Sequence, residues 1–540
     1  MADPARQVQE WLERYDSPSA CVAHLLCDRH PADATAVTEV DADLSARDLT
    51  YGELAERSSA VAGGLAELGV RPGDRVATLM DGGIDLAVTA LAVWRLGAVH
   101  VPLFTAFAPS AIALRLRDSG ARAVVCGDDQ RPKLDPGSDL PADSAPAVVT
   151  TGAAPLRPGD RTLADLERAR PAPAAATGGA APFLRLYASG TAGPPRAVEV
   201  PVRALAALHV YHHYGLDVRD DDVFWNAADP GWFYGVYHGL VSPLLAGHRS
   251  LHLRAGFDPE LTLDVLATYE VTNFAATPTV YRALRSVLKT LPPEVVVRRL
   301  ASSGEPLHAD VVRWAEDVFG VPVHDHYGQS ELGMCAGNHS HDEVAVPLKP
   351  GSMGTALPGW TVTVLEPVDD VEAAPGVFGR VAVDTAASPA MWFAGYQGSP
   401  LATARRFSPD HRWYLTGDTG TRDAAGRLYF SSRDDDVILT GGYRITPFDV
   451  ESALLQHPDV EETAAYGVPD DVVGEVVAAD VVLREGVRGS DELAEALREL
   501  VRARIASHAG PGRINFVAQL PRTASGKIQR FRLRGPRQRA

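Results

Sequence analysis

Between Leu49 and Val101 the chain alternates helix-like and strand-like segments. LTYGELAERSSAVAGGLAELGV places Leu54, Val61, Leu65 and Leu68 near helical spacing. RPGDRVATLM follows as a turn and a short buried strand. IDLAVTALAVWRLGAV then reads as an apolar helix, and His100-Val101-Pro102-Leu103 as a second strand. Strands joined through a helix lie parallel, and a parallel sheet needs helices on both faces. The pattern resumes at Arg185 and continues to about residue 365. The fold expected is therefore α/β, with parallel or mixed sheets and packed helices. At 540 residues the chain exceeds what one core organises, so two or more domains are expected.

The rest of the chain punctuates this pattern. Residues 127–182 are rich in Pro, Ala and Asp and weakly periodic, which predicts mostly loops. A strand-rich stretch includes GRVAVDT (379–385) and GRLYFSS (426–432). Arg433-Asp434-Asp435-Asp436 interrupts it, and a small α+β unit of roughly a hundred residues is expected beyond. The basic tail FRLRGPRQRA is expected to fray. A net charge of −18 argues against nucleic-acid or anionic-membrane partners, which favour basic surfaces. No apolar run reaches the ~18 residues of a membrane span. The mixed, charged first twenty residues lack a signal-peptide core. Four cysteines in so long a chain fit a reducing, cytoplasmic setting.

Five short stretches carry the chemistry. YASGTAGPPR (187–196) follows an apolar strand, and such a turn can aim backbone N–H groups and hydroxyls at phosphate oxygens. Ser189 and Thr191 supply hydroxyls, Gly190 and Gly193 allow close approach, and Arg196 adds charge. By itself this stretch reads more readily as a flexible surface loop, given how often short motifs recur by chance. SSGEPL (302–307), HYGQSELG (326–333), YLTGD (414–418) and PRTASGKI (521–528) follow in order. Together the five resemble the adenylate-forming (AMP-binding) superfamily over about residues 45–535. The branch they resemble most is that of acetyl- and medium-chain acyl-CoA synthetases.

That resemblance implies a large N-terminal domain over residues 1–434, with a small barrel-like subdomain. It also implies a small, mobile α+β C-terminal domain over 435–540, swinging about a hinge at Asp435. The substrates and cofactors it implies are a carboxylic acid, ATP, Mg²⁺ and CoA, and it is compatible with a homodimer. Ser189, Gly190, Thr191, Gly193 and Arg196 would cradle the phosphates. Gly304, Glu305 and Pro306 would line one side of the adenine and Tyr327 would stack on the other, with Asp325 at the amino group. His326, Gly328, Gln329, Ser330 and Arg444 would complete the nucleotide site. Asp418 and Arg433 would hold the ribose hydroxyls, since a carboxylate accepts both protons and a guanidinium adds fixed donors. Glu331 would ligate Mg²⁺, which prefers hard oxygens. Thr191 and Glu331 would act with Lys527, whose charge would offset the repulsion between the attacking carboxylate and the α-phosphate. Gly441 and Gly442 would border the CoA arm. Trp232, Phe233, Tyr234, Ser303 and Gly328 would wall the acyl pocket.

Acetate-specific relatives commonly carry a tryptophan where this chain has Gly328, so a glycine there is expected to leave room for a medium-chain or aromatic acid. Ala188 and Ala192 stand where hydroxyl residues are common, Arg196 replaces a lysine and Ser330 a threonine. Two other readings stay open: an adenylating enzyme with another acceptor (a carrier-protein thiol or an amine) or an unusual oxyanion substrate, and a non-catalytic nucleotide-binding relative. His209, His212 and His213 could share a helix face, but with no acidic or Cys partner nearby they read as unrelated histidines.

Overall fold

The computed structural model describes residues 3–137, 139–140, 145–188, 195–288, 290–433, 436–440, 443–470, 474–505, 509–523 and 528–534. Among them the strands form four sheets. The predicted alternation builds a seven-stranded sheet with Arg75–Leu79 near its centre, paired in parallel with Val99–Pro102 and Ala123–Cys126. Tyr51–Glu67 begins with a capping box in which Thr50 and Glu53 satisfy each other's backbone N–H. The helix Ile84–Arg95 is buried at every residue except Asp85, which explains its lack of a polar face. Its buried Arg95 is held by Asp28 and by Ser58.

A nine-stranded sheet packs beside it. Its parallel core includes Asn273–Ala276, Arg299–Ser303 and Val323–Gln329. The carboxyl ends of the last two strands deliver Gly304 and Tyr327 to one edge, where open parallel sheets form ligand crevices. Val362–Leu365, Gly379–Asp384, Trp413–Arg422 and Leu428–Arg433 make a four-stranded antiparallel sheet with register shifts that curl it. This is the barrel-like element the resemblance implied. A five-stranded sheet between Ile438 and Phe516 has a core of its own around Val450, Leu454, Val477 and Leu497.

One expectation is refined and one corrected. The stretch 127–182 is mostly loop, and within it lie the parallel strands Ala147–Thr150 and Arg161–Thr162 and a 3₁₀ turn over Asp128–Leu134. Strands this short show no period, and only pairing with distant residues reveals them. The basic tail does not fray at its start: Arg530–Leu533 is helical, Leu533 is buried, and Arg534 pairs with Asp436 at 2.8 Å. Among the described residues no helix is long and apolar enough to cross a membrane.

The C-terminal unit docks through its helix Pro447–Leu454. Phe448 stacks on His308 of the larger body, with centroids 5.1 Å apart, and Ser452 Oγ lies 3.4 Å from the His308 ring. Burial, and then Arg282, push the His308 pKa below its usual value, with Asp310 opposing. A depressed histidine pKa means that the folded form resists protonation. The docking is therefore at full strength above about pH 6.5 and weakens as pH falls toward the folded value. Limited proteolysis of the C-terminal unit across this range is expected to accelerate below about pH 6. His308→Gln should flatten the profile, and an unchanged profile in that variant would refute the assignment.

Candidate active site

Asp418 organises the site. It sits inside the strand Trp413–Arg422 and faces Arg433 across the antiparallel ladder. Arg433 Nη1 donates to Asp418 Oδ1 at 2.8 Å. The Tyr327 hydroxyl donates to Oδ2 at 2.5 Å, and Gln329 Nε2 donates to the same oxygen at 2.8 Å. Asp418 is only 5% exposed, so these charge-assisted bonds replace the water it has lost. Strand alternation explains the selection: Tyr327 and Gln329 stand two apart and share a face. Gln329 Oε1 also accepts from the Tyr414 hydroxyl at 3.1 Å, so its amide is held at both ends.

Glu331 follows at the turn after this strand and is 4% exposed. Its Oε1 accepts the Tyr396 hydroxyl at 2.5 Å. Arg406 Nε donates to that same hydroxyl oxygen at 3.0 Å, and Arg406 Nη1 donates to the Thr416 carbonyl at 2.7 Å. Burial, and then Glu331, push the Tyr396 pKa up to about 12. Burial works against the Arg406 charge, but Tyr414, Tyr396 and Glu331 hold its pKa above the usual guanidinium range. A Cβ on Gly417 would meet Arg406 Nη1 at 2.5 Å and Arg433 Nη2 at 3.2 Å, so the missing side chain leaves room for both guanidinium groups. Arg196 places its guanidinium 5.4 Å from the centre of the Tyr396 ring, and the Gln397 N–H donates to the Ala197 carbonyl at 3.0 Å. The strand leaving the glycine-rich turn is thereby tied to the Glu331 side.

Asp325 is buried, and burial raises its carboxyl pKa well above the usual range. Glu305 turns its carboxylate to Thr279 and Arg282, each at 2.8 Å, leaving Gly304 beside the crevice. Ser330 offers its carbonyl to the Tyr237 hydroxyl at 2.9 Å. His326 departs from expectation. Alternation points its imidazole away from Tyr327 into the core, where it meets Tyr211 at 2.9 Å and the Asn338 carbonyl at 3.3 Å.

Trp232, Phe233 and Tyr234 pack against one another, and the Trp232 ring edge fills the space a Gly304 side chain would need. Gly328 also departs from expectation. It leaves no open room, because a Cβ there would strike the Gly333 carbonyl and lie 2.7 Å from Met334 Sδ. Ser303 Oγ touches the same sulfur at 3.5 Å.

Ser189, Gly190, Thr191, Gly193, Asp435, Gly441, Gly442 and Lys527 lie outside the described residues. Their flanks are informative. Ala188 pairs with Arg196, and these are the strand residues nearest in sequence to the other phosphate-loop candidates. Arg522 bridges to Ile528, and both line a small cavity with Glu305 and Pro306. Arg444 stands in the strand Tyr443–Ile445. The three clustered histidines diverge: His209 stacks on Trp11, His212 meets His248 at 3.0 Å, and His213 packs on His341. Among the described residues no group of three or more His, Cys, Asp or Glu is arranged to hold a metal.

Sequence reasoning missed Tyr396, Arg406 and Met334. Tyr396 and Arg406 stand 65 and 75 positions from Glu331, in no pattern that announces a site. The doubled cation Arg405-Arg406 before an apolar residue is the one local signal.

Comparison with known proteins agrees with this geometry. The AMP-binding enzyme model matches residues 26–396, and the AMP-binding enzyme C-terminal domain model matches 449–527. An acetyl-coenzyme A synthetase of Bacillus subtilis (strain 168) is 31% identical over 499 residues, covering 89% of this chain and 84% of that protein. A mitochondrial acyl-coenzyme A synthetase of Homo sapiens, ACSM4, is 31% identical, covering 86% of this chain and 80% of its own. The crystal structure of a Brucella canis acyl-CoA synthetase superposes with a TM-score of 0.76 at 38% identity, covering 98% of each chain.

The Tyr396 hydroxyl is the one donor from a neutral side chain on Glu331 among the described contacts. Tyr396→Phe leaves that buried carboxylate short of a partner and is expected to cost about 1–3 kcal/mol of stability. Urea unfolding at neutral pH measures the loss. A change below about 0.5 kcal/mol would contradict this account of the contact.

Proposed function

The chain belongs to the AMP-binding enzyme family, as an AMP-forming acyl-CoA synthetase, and on that premise we propose the following reaction. The enzyme activates a carboxylic acid larger than acetate, medium-chain or aromatic, as an acyl-adenylate with release of pyrophosphate. It then passes the acyl group to CoA. The observation that carries this reading is the buried Asp418 carboxylate, held by Arg433, Tyr327 and Gln329. Its orientation is set before any ligand arrives, so it can take two ribose hydroxyl protons with little reorganisation.

Mg²⁺ fits beside Glu331. Magnesium commonly uses one or two carboxylates and completes its shell with phosphates and water, so one carboxylate suffices. When bound it would neutralise phosphate charge. Tyr396 and Arg406 orient Glu331 for that role, and Arg196 supplies positive charge on the same side. In the sequence Lys527 lies between Arg522 and Ile528, which pair with each other and line a cavity with Pro306. Lys527 would contact both the acid and the α-phosphate, reducing their repulsion. Residues 435–540 would then swing about Asp435, withdrawing Lys527 and bringing Gly441 and Gly442 to the CoA arm.

The preference for a larger acid rests on the resemblance, in which acetate-specific relatives commonly carry a tryptophan where this chain has Gly328; the Gly333 carbonyl and Met334 fill the space directly beside that glycine. AMP release across short, medium and aromatic acids, with and without CoA, tests the whole reading. The larger acids should exceed acetate, and CoA should accelerate turnover. Acid-dependent AMP formation indifferent to CoA would point to another acceptor.

Two variants resolve the roles. Lys527→Ala should lower adenylation by roughly 10²–10³-fold while sparing thioester formation from supplied acyl-adenylate. Equal loss in both half-reactions would refute the domain swing. Asp418→Asn should raise the KM for ATP about tenfold, the equivalent of one charge-assisted bond, and an unchanged KM would remove Asp418 from the ribose site.

A further inference from the structure

The acyl wall has a polar floor. Tyr211, Tyr234, His238 and Ser242 are fully buried, and His326 and Asn338 nearly so. Elementary hydrogen-bond chemistry orients this network. The Asn338 carbonyl can only accept, so His326 Nε2, 3.3 Å away, carries the hydrogen. In the neutral ring Nδ1 is then an acceptor, and it takes the Tyr211 hydroxyl proton at 2.9 Å. Tyr211, having given its proton away, receives that of Tyr234 at 3.1 Å. The relay ends at the Tyr234 oxygen, which has spent its proton and keeps acceptor capacity.

A second acceptor lies beside it. Ser242 Oγ donates to the Tyr237 carbonyl at 2.7 Å, so its lone pair faces His238 Nδ1 at 3.2 Å. His238 Nδ1 therefore holds the hydrogen and Nε2 is bare. Nε2 is buried and has no hydrogen-bond partner among the described residues. The His238 and Tyr234 rings have centroids 5.6 Å apart, and Tyr234 packs 5.8 Å from Trp232, which covers Gly304. Burial pushes the pKa of His238 down to about 3 and that of His326 well below its usual value, so both rings stay neutral at physiological pH. Two buried acceptors on neighbouring rings, the Tyr234 oxygen and His238 Nε2, thus receive no donor from the described residues. Such a group is costly to leave unmatched, and a donor on a ligand relieves the cost.

We infer that the acid activated by this enzyme carries a hydrogen-bond donor on its tail, a hydroxyl or an amino group, which is received by the Tyr234 oxygen and His238 Nε2. This rests on the proposed acid–CoA ligase reading and on the placement of Tyr234 in the acyl wall. It makes Tyr234 a specificity-determining residue, with Tyr211 and His326 as the positioning residues that orient its proton. Discrimination should be large. Pockets that only sense size separate substrates by one methylene weakly, whereas a buried polar group without its partner rejects the wrong substrate strongly.

Matched acids test it with the full-length enzyme. Each pair differs only in a tail hydroxyl or amino group against a methyl of similar volume, in one aromatic and one medium-chain aliphatic series. kcat/KM is read from AMP release. The donor-bearing acid is expected to win by at least about 100-fold in one series. Tyr234→Phe, with its melting temperature checked, should bring the pair to within a few-fold. Tyr211→Phe leaves the Tyr234 oxygen in place but frees its proton, so the preference should shrink and a tail ketone should gain. Robust AMP release with no preference within either pair would overturn the inference and leave the ligase reading standing. No AMP release with any acid would overturn both.

Discussion

The Asp418 carboxylate is the point on which the candidate site turns. It is nearly removed from water, and three donors stand in for that water. Arg433 comes from the neighbouring strand, and Tyr327 and Gln329 come from the large sheet. The curled four-stranded sheet is thereby locked to the edge of the nine-stranded sheet through polar contacts. Loss of one donor would leave an under-compensated buried charge, which costs far more than an exposed ion pair contributes.

A second line of contacts extends from it. Arg406 joins the Thr416 carbonyl to the Tyr396 hydroxyl, and Tyr396 joins Arg406 to Glu331. Arg196 stacks on the far side of Tyr396, so the strand leaving the phosphate-loop region shares this support. The ribose, metal and phosphate sides of the proposed site are thus coupled through one tyrosine and one arginine. The same logic governs the cluster around Tyr234, where buried tyrosines and histidines are oriented by a carbonyl at one end of the relay. In a low-dielectric interior, hydrogen-bond direction is information, because each proton given in one direction is withheld in the other.

Much of the cluster around Asp418 was legible before the structure. Tyr327, Gln329, Asp418 and Arg433 lie in short motifs, and period-two alternation put the first two on one face. The same rule, applied strictly, turns His326 away, and the motif reading had grouped it with its neighbours. Gly328 was read as empty space, but a glycine shows only that its own side chain is absent. Met334 came from the next strand to occupy the space, across a turn closed by Gly333 with φ 71°. Tyr396 escaped notice because Glu331 lies 65 positions away, and Arg406 because its link to Glu331 runs through Tyr396.

The amino-acid sequence by itself determined the alternating pattern that forces parallel sheets, the order of the adenylate-forming motifs, and the small α+β unit beyond Arg433. These are local properties, written in hydrophobic period and in glycine, proline and charge placement over a few residues. The tertiary structure alone decided which groups hold Asp418 and Glu331, how the C-terminal unit rests on His308, and which way the buried protons point around Tyr234. Those outcomes depend on contacts between residues tens or hundreds of positions apart, and on desolvation that exists only once the chain is packed.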